Sequence, residues 1–115
     1  MGVLDSVSSV ALGSALDALA LRQRAIADNV ANVQTPGYHA KNVDFEGALA
    51  QAVRAGDGDV TATVSRSREA TREDGNNVNL DEQTLLNVET NLRYQLASQA
   101  ISGELSAVRA AMRAS

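Results

Sequence analysis

A chain of 115 residues that is 44% apolar, with one phenylalanine, two tyrosines and no tryptophan, draws its hydrophobicity from alanine, valine and leucine. That is enough for one domain and leaves a second independent core unexpected. A net charge of −4 without any basic tract argues against nucleic acid as a partner, and the lack of cysteine excludes disulfides, thiolate catalysis and thiolate zinc sites.

Alanine buries little area, whereas large side chains supply most of the hydrophobic energy at about 25 cal/mol per Å². An alanine-rich stripe therefore favours close helix approach, and stability is expected to lean on neighbouring chains. The start Met1-Gly2-Val3-Leu4-Asp5 lacks the basic segment and apolar core of a cleavable signal peptide, and no apolar run is long enough to span a bilayer. Signal-directed secretion and transmembrane insertion are both disfavoured; export without a cleaved signal stays open.

The first helix is expected from about Asp5 to Asn32. Leu12, Leu16, Leu19, Gln23, Ile26, Val30 and Val33 recur at alternating steps of four and three, a heptad seam with one polar interruption. Ala15, Ala18, Ala25 and Ala31 widen that face. Gln23 either sets the register or lies where water reaches. Thr35-Pro36-Gly37-Tyr38 then stops the helix. Pro36 suits the second position of a turn and Gly37 accepts positive φ at the third, so a type II turn is expected.

Asp44 is the expected cap of a short helix in which Phe45, Leu49 and Val53 recur, with Gly56 as its stop. Phe45 is read as a packing anchor. Asp57-Gly58-Asp59 marks a turn, and Val60-Thr61-Ala62-Thr63-Val64 alternates like one strand or an edge. Ser65 to Asn77 is polar and of mixed charge, and disorder in the isolated protein is expected there.

A last helix starts with Asn79 as N-cap and Glu82 as the acid of a capping box. Leu85, Val88 and Leu92 begin its apolar face, which Ala97, Ile101, Leu105, Val108 and Met112 continue. Arg109 and Arg113 sit near its end, where positive charge suits the helix dipole. The two long helices form an antiparallel pair, or each packs mainly on other subunits. The fold class is mainly α: long terminal helices making an axial core, joined by an extended loop region with a short helix and a possible small β element. The expected segments are 1–34, 35–78 and 79–115.

The inventory for catalysis is poor. His39 is the one histidine, with no second to build a common metal site. No serine occupies a Gly-x-Ser-x-Gly elbow, Asp57 and Asp59 lack EF-hand spacing, and no glycine-rich phosphate loop occurs. Neither an enzyme nor a cofactor is expected.

The run Asp28-Asn29-Val30-Ala31-Asn32-Val33-Gln34-Thr35-Pro36-Gly37-Tyr38 resembles the N-terminal signature of the bacterial flagellar rod and hook axial proteins. Asp74-Gly75-Asn76-Asn77-Val78-Asn79-Leu80-Asp81-Glu82-Gln83, followed by Asn91-Leu92-Arg93-Tyr94-Gln95, resembles the proximal-rod branch of that family. The resemblance implies that both terminal helices enter the axial core of a rod. It implies a first junction at Asn29, Asn32, Thr35, Pro36 and Gly37, and a returning junction at Asn76, Asn77, Val78 and Leu80. Leu92, Tyr94 and Gln95 would pack in the second helix. Implied partners are neighbouring copies, other rod proteins, basal-body ring and export-gate junction proteins, and the flagellar type III apparatus that exports the family unfolded. The implied location is the rod of the basal body. A free-standing coiled-coil adaptor or helper of a secretion apparatus is the competing class, and a minimal hydrolase relying on His39 or a carboxylate is a third.

Overall fold

The computed structural model describes residues 3–114, with side chains for 7–113. Helix α1 spans Val3–Ala31 and α3 spans Leu80–Ala114, with β1 (Lys41–Asp44), α2 (Glu46–Arg54) and β2 (Thr63–Arg66) between them. At 1.5 Å per residue the long helices reach about 43 and 52 Å, and the molecule is correspondingly elongated, 66 × 25 × 14 Å.

The long helices pair antiparallel within the chain. Ser9 donates to Glu104, Gln23 to Asn91 at 2.8 Å and Asn29 to Gln83 at 3.0 Å, so positions rising along α1 meet positions falling along α3. Of the two arrangements left open by the sequence, the intramolecular hairpin is the one adopted. Its seam mixes these polar bonds with apolar contacts.

Helix α1 ends where expected. Asn32 N–H still reaches the Asp28 carbonyl at 3.1 Å, after which Val33 and Thr35 bond three residues back, tightening the last turn. Tyr38 N–H closes the Thr35–Tyr38 turn at 3.2 Å, and Gly37 has φ +76°. A positive φ at the third turn position is the type II geometry that Pro36-Gly37 favours.

The central excursion departs from the sequence reading in three places. Helix α2 begins at Glu46 with Phe45 as its N-cap residue and no side-chain cap, so Asp44 does not cap it. Asp44 instead ends β1, its backbone committed to pairing with Thr63. The strand lies at Thr63–Arg66, later than the Val60–Val64 alternation suggested, and its partner is Lys41–Asp44, antiparallel. Four residues reading Lys-Asn-Val-Asp carry no strand pattern; β1 exists because α1 organises it. The stretch expected to be disordered is tied at Ser67, Glu69, Arg72 and Asp74–Asn77, as described below. Gly56, at φ +84°, ends α2 as expected.

The core sits where the elements converge. Ala18, Leu19 and Phe45 are buried together, with Ala15, Leu49, Ala62 and Tyr94 packed around them. Phe45 is thus the expected anchor. Its ring also stacks under the guanidinium of Arg22, 4.9 Å from the centroid. Further along α1, Ser14 hydroxyl donates to the Gly58 carbonyl at 2.7 Å and accepts from Val60 N–H at 3.1 Å. That contact holds the Asp57–Val60 turn against the helix.

Candidate functional site

Two features distinguish this fold: a buried asparagine junction, and an apolar row on α3 that is exposed among the described residues. The junction begins with Asn29, completely buried on the last turns of α1. Its Oδ1 accepts from Lys41 N–H at 2.8 Å and its Nδ2 donates to the Lys41 carbonyl at 3.0 Å. Tyr38 hydroxyl donates to the same Oδ1 at 3.3 Å, and Gln83 receives the second amide hydrogen. One carboxamide therefore ties α1, β1 and α3 together.

Asn76 and Asn77 make the reverse connection. Asn76 Nδ2 donates to the carbonyls of Asn32 and Thr35 at 2.9 and 2.8 Å, while its Oδ1 accepts from Val78 N–H at 2.7 Å. Asn77 Oδ1 accepts from Ala40 N–H at 2.7 Å, and its Nδ2 reaches the Ser67 and Glu69 carbonyls at 3.2 Å. Arg72 donates to the carbonyls of Val33 and Val78. Gly37 N–H bonds Asp74 carbonyl at 2.8 Å, and a Cβ on Gly75 would lie 3.3 Å from Gly37 Cα. Gly75 itself has φ +83°, a left-handed conformation that glycine adopts without strain. These bonds satisfy helix-end carbonyls and loop amides that would otherwise be buried unpaired.

Asn79 caps α3. Its Oδ1 accepts from Glu82 N–H at 3.2 Å and its carbonyl from Gln83 N–H at 3.0 Å. From there α3 has two faces. Gln83, Thr90, Tyr94, Ala97, Ile101, Glu104 and Val108 are buried or half-buried toward α1. Leu85, Val88, Leu92 and Leu96 lie roughly opposite by helical periodicity and are exposed, Leu85 at 70% and Leu92 at 56%. The single apolar face expected from Leu85 to Met112 is thus split between the two sides of the helix.

The other residues singled out from the sequence distribute accordingly. Leu19 and Ile26 are buried, Leu12 and Leu16 half-buried, and Val30 exposed. Asn32 and Tyr38 are half-buried, while Thr35, Pro36 and Gly37 form the outer skin of the junction. Val78 is buried, Tyr94 packs on the core, and Leu80, Gln95 and Leu105 are exposed. Arg22, Thr90 and Arg72 were not signalled by any motif, and Gln83 only closed the Asp74–Gln83 run without a role of its own. Arg22 is 8% exposed, donates to the Val43 carbonyl and pairs with Glu46, whose carboxylate also faces Arg93 at 3.8 Å. A lone arginine within a helical pattern gives no sequence clue to such a role.

Among the described residues no group of three histidine, cysteine or acidic side chains is placed to hold a metal, and no helix is long and apolar enough to cross a membrane. The structure offers packing surfaces and a polar clamp.

Residues 11–39 match the family model described as flagella basal body rod protein. Those residues carry α1 from Ala11 onward and the junction that follows it. The chain is 29% identical over 114 residues to the flagellar basal body rod protein FlgB of Escherichia coli (strain K12), covering 79% of this chain and 82% of that protein. It is 26% identical over 112 residues to FlgB of Bacillus subtilis (strain 168), covering 85% and 87%. With FlgB of Borrelia hermsii it shares 53% identity over 38 residues, 33% of this chain and 28% of that one. The family model spans the first junction motif, and the Escherichia coli and Bacillus subtilis relatives align along most of their length. Along most of its length the chain is thus similar to the flagellar basal body rod proteins FlgB.

Proposed function

We propose that this chain is a structural subunit of the proximal flagellar rod, joining neighbouring copies and other rod proteins into a hollow shaft that transmits motor torque. The observation that supports this most directly is the row Leu85, Val88, Leu92 and Leu96, exposed on the side of α3 away from α1. Each such side chain contributes about 1.5–3 kcal/mol when a neighbour covers it. Large apolar side chains stay exposed on α3 beside a small internal core, as suits a part completed by its neighbours.

In this reading 1–34 and 79–115 are the axial helices, and 35–78 forms the outer layer. Leu12, Leu16, Leu19 and Ile26 on α1, with Leu80, Tyr94, Ile101, Leu105 and Val108 on α3, contribute to packing within and between copies. Asn29, Asn32, Asn76 and Asn77 fix the angle at which the outer layer leaves the core. Export proceeds without a cleaved signal through the flagellar type III apparatus. Junction proteins of the basal-body ring and export gate contact the shaft base.

A cysteine at Glu89, beside Val88 and Leu92 in a chain with no native cysteine, tests the proposal. Cross-linking in isolated basal bodies is expected to join it to rod, ring or export-gate proteins. Recovery only as a soluble species, in cells that still swim, would replace the rod reading with that of a soluble adaptor.

A further inference from the structure

The β1–β2 ribbon has one closed edge and one open edge. On β1 the outward backbone groups are occupied by α1: Asn29 takes both the N–H and the carbonyl of Lys41, and Arg22 takes the Val43 carbonyl. The ladder bonds therefore join Asn42 with Ser65 and Asp44 with Thr63, and Ser67 N–H extends them to the Ala40 carbonyl at 2.7 Å. By the same alternation Val64 and Arg66 turn their N–H and C=O groups to solvent. All four β2 residues are exposed.

The surroundings of that edge are basic. Arg66 and Arg68 sit in and just after β2 and, with Ser65 and Ser67 and with His39 and Asn42 from the β1 side, line an open groove of about 660 Å³ across the ribbon. Among the described residues neither Arg66 nor Arg68 makes an ion pair, although the chain carries net charge −4. Glu69 directly follows Arg68 but lies beyond the paired segment, and Asp44 pairs with Thr63 at its far end. A second copy of β2 is a poor occupant, because it would bring its own Arg66 and Arg68 against these.

We infer that the β2 edge accepts an extended acidic segment of another polypeptide as a third strand. Main-chain bonds form at Val64 and Arg66, and carboxylates meet Arg66 and Arg68. A two-stranded ribbon is marginal alone, and a third strand completes it. This surface lies on the excursion, apart from the α3 row, and its test uses the free chain.

The probe is a terminally blocked peptide alternating valine and glutamate, added to the full-length, isotopically labelled protein. Amide exchange at Val64 and Arg66 is expected to slow about tenfold, with little change elsewhere in β2. The double variant Arg66→Glu/Arg68→Glu should lose that protection while its Asn42 and Ser67 amides stay as slow as in the parent. Equal protection by a valine–lysine peptide would overturn the inference. So would unchanged exchange at both amides, or protection that grows with protein concentration when no peptide is present.

Discussion

The side chain of Asn29 pairs with the backbone of Lys41 as a neighbouring strand would, accepting at 2.8 Å and donating at 3.0 Å. A helix thus supplies the edge that orders a strand, and the strand orders the excursion behind it.

Asn29→Ala would leave both part-buried backbone groups of Lys41 without their partner, and Gln83 without its donor, and is expected to cost about 1–3 kcal/mol. Asn29→Asp should be comparably damaging, because a carboxylate cannot donate to the Lys41 carbonyl or to Gln83. Urea denaturation of the purified chain measures both. A midpoint within error of the parent for either variant would remove the clamp from the account.

Leu19 and Leu92 separate folding from assembly. Leu19 is 2% exposed and belongs to the core, so Leu19→Glu is expected to abolish cooperative folding of the chain itself. Leu92 projects from the far side of α3, so Leu92→Glu should change stability by no more than about 0.5 kcal/mol. Its expected defect is in rod formation, read as loss of basal-body incorporation and of swimming. Normal swimming with Leu85→Glu/Leu92→Glu would discard the exposed row as an interface.

Gly58 and Gly47 form a matched pair of glycine substitutions. A Cβ on Gly58 would lie 2.6 Å from the backbone nitrogen of Ala11 and 2.7 Å from the Val7 carbonyl, neither of which can rotate aside. Gly58→Ala should therefore lift the turn off α1, and about 2 kcal/mol or more is expected. Gly47 lies inside α2 with open space around it, so Gly47→Ala should stabilise by about 0.5–1 kcal/mol. Thermal unfolding of the two variants should shift in opposite directions.

The Lys41 ammonium is hydrogen-bonded to Asp28 at 3.1 Å, and this bond, followed by the charges of Asp28 and Tyr38, raises its pKa above the ordinary 10.5. A raised cationic pKa contributes stability that is complete below the unfolded value and is lost as pH climbs through the folded one. The contribution of this exposed pair should hold across neutral pH, fade only above about pH 10.5 and weaken with salt. Lys41→Met should remove that alkaline component, seen by comparing unfolding midpoints at pH 9 and pH 11.

Local chemistry explains what was legible beforehand. Pro36-Gly37 fixes a turn through its own dihedral preferences, and Asn79 caps α3 through a contact three residues away. The long helices announce themselves by periodicity. What stayed hidden depends on distant partners: Lys41–Asp44 becomes a strand because of Asn29 and Arg22, and Ser67–Asn77 is ordered because its own asparagines reach back to residues 32–40. The junction asparagines were found through motif resemblance, since nothing in their local pattern required burial. Periodicity could not divide α3 between its two faces either, because Leu85 and Tyr94 both lie on apolar arcs and only the position of α1 decides which is covered.

The meeting of Gly37 with Gly75 has a consequence for how such a chain can change. Gly37 N–H bonds the Asp74 carbonyl, and Asn77 N–H bonds the Tyr38 carbonyl at 3.2 Å, so the excursion leaves and returns through one narrow neck. Whatever lies between 39 and 73 is closed off by that neck as a loop whose ends are already fixed. Doubling the length of a flexible closed loop costs only about 0.6 kcal/mol in chain entropy. The neck is therefore a natural grafting point: an insert of different size or fold can be exchanged there without the long helices having to re-register.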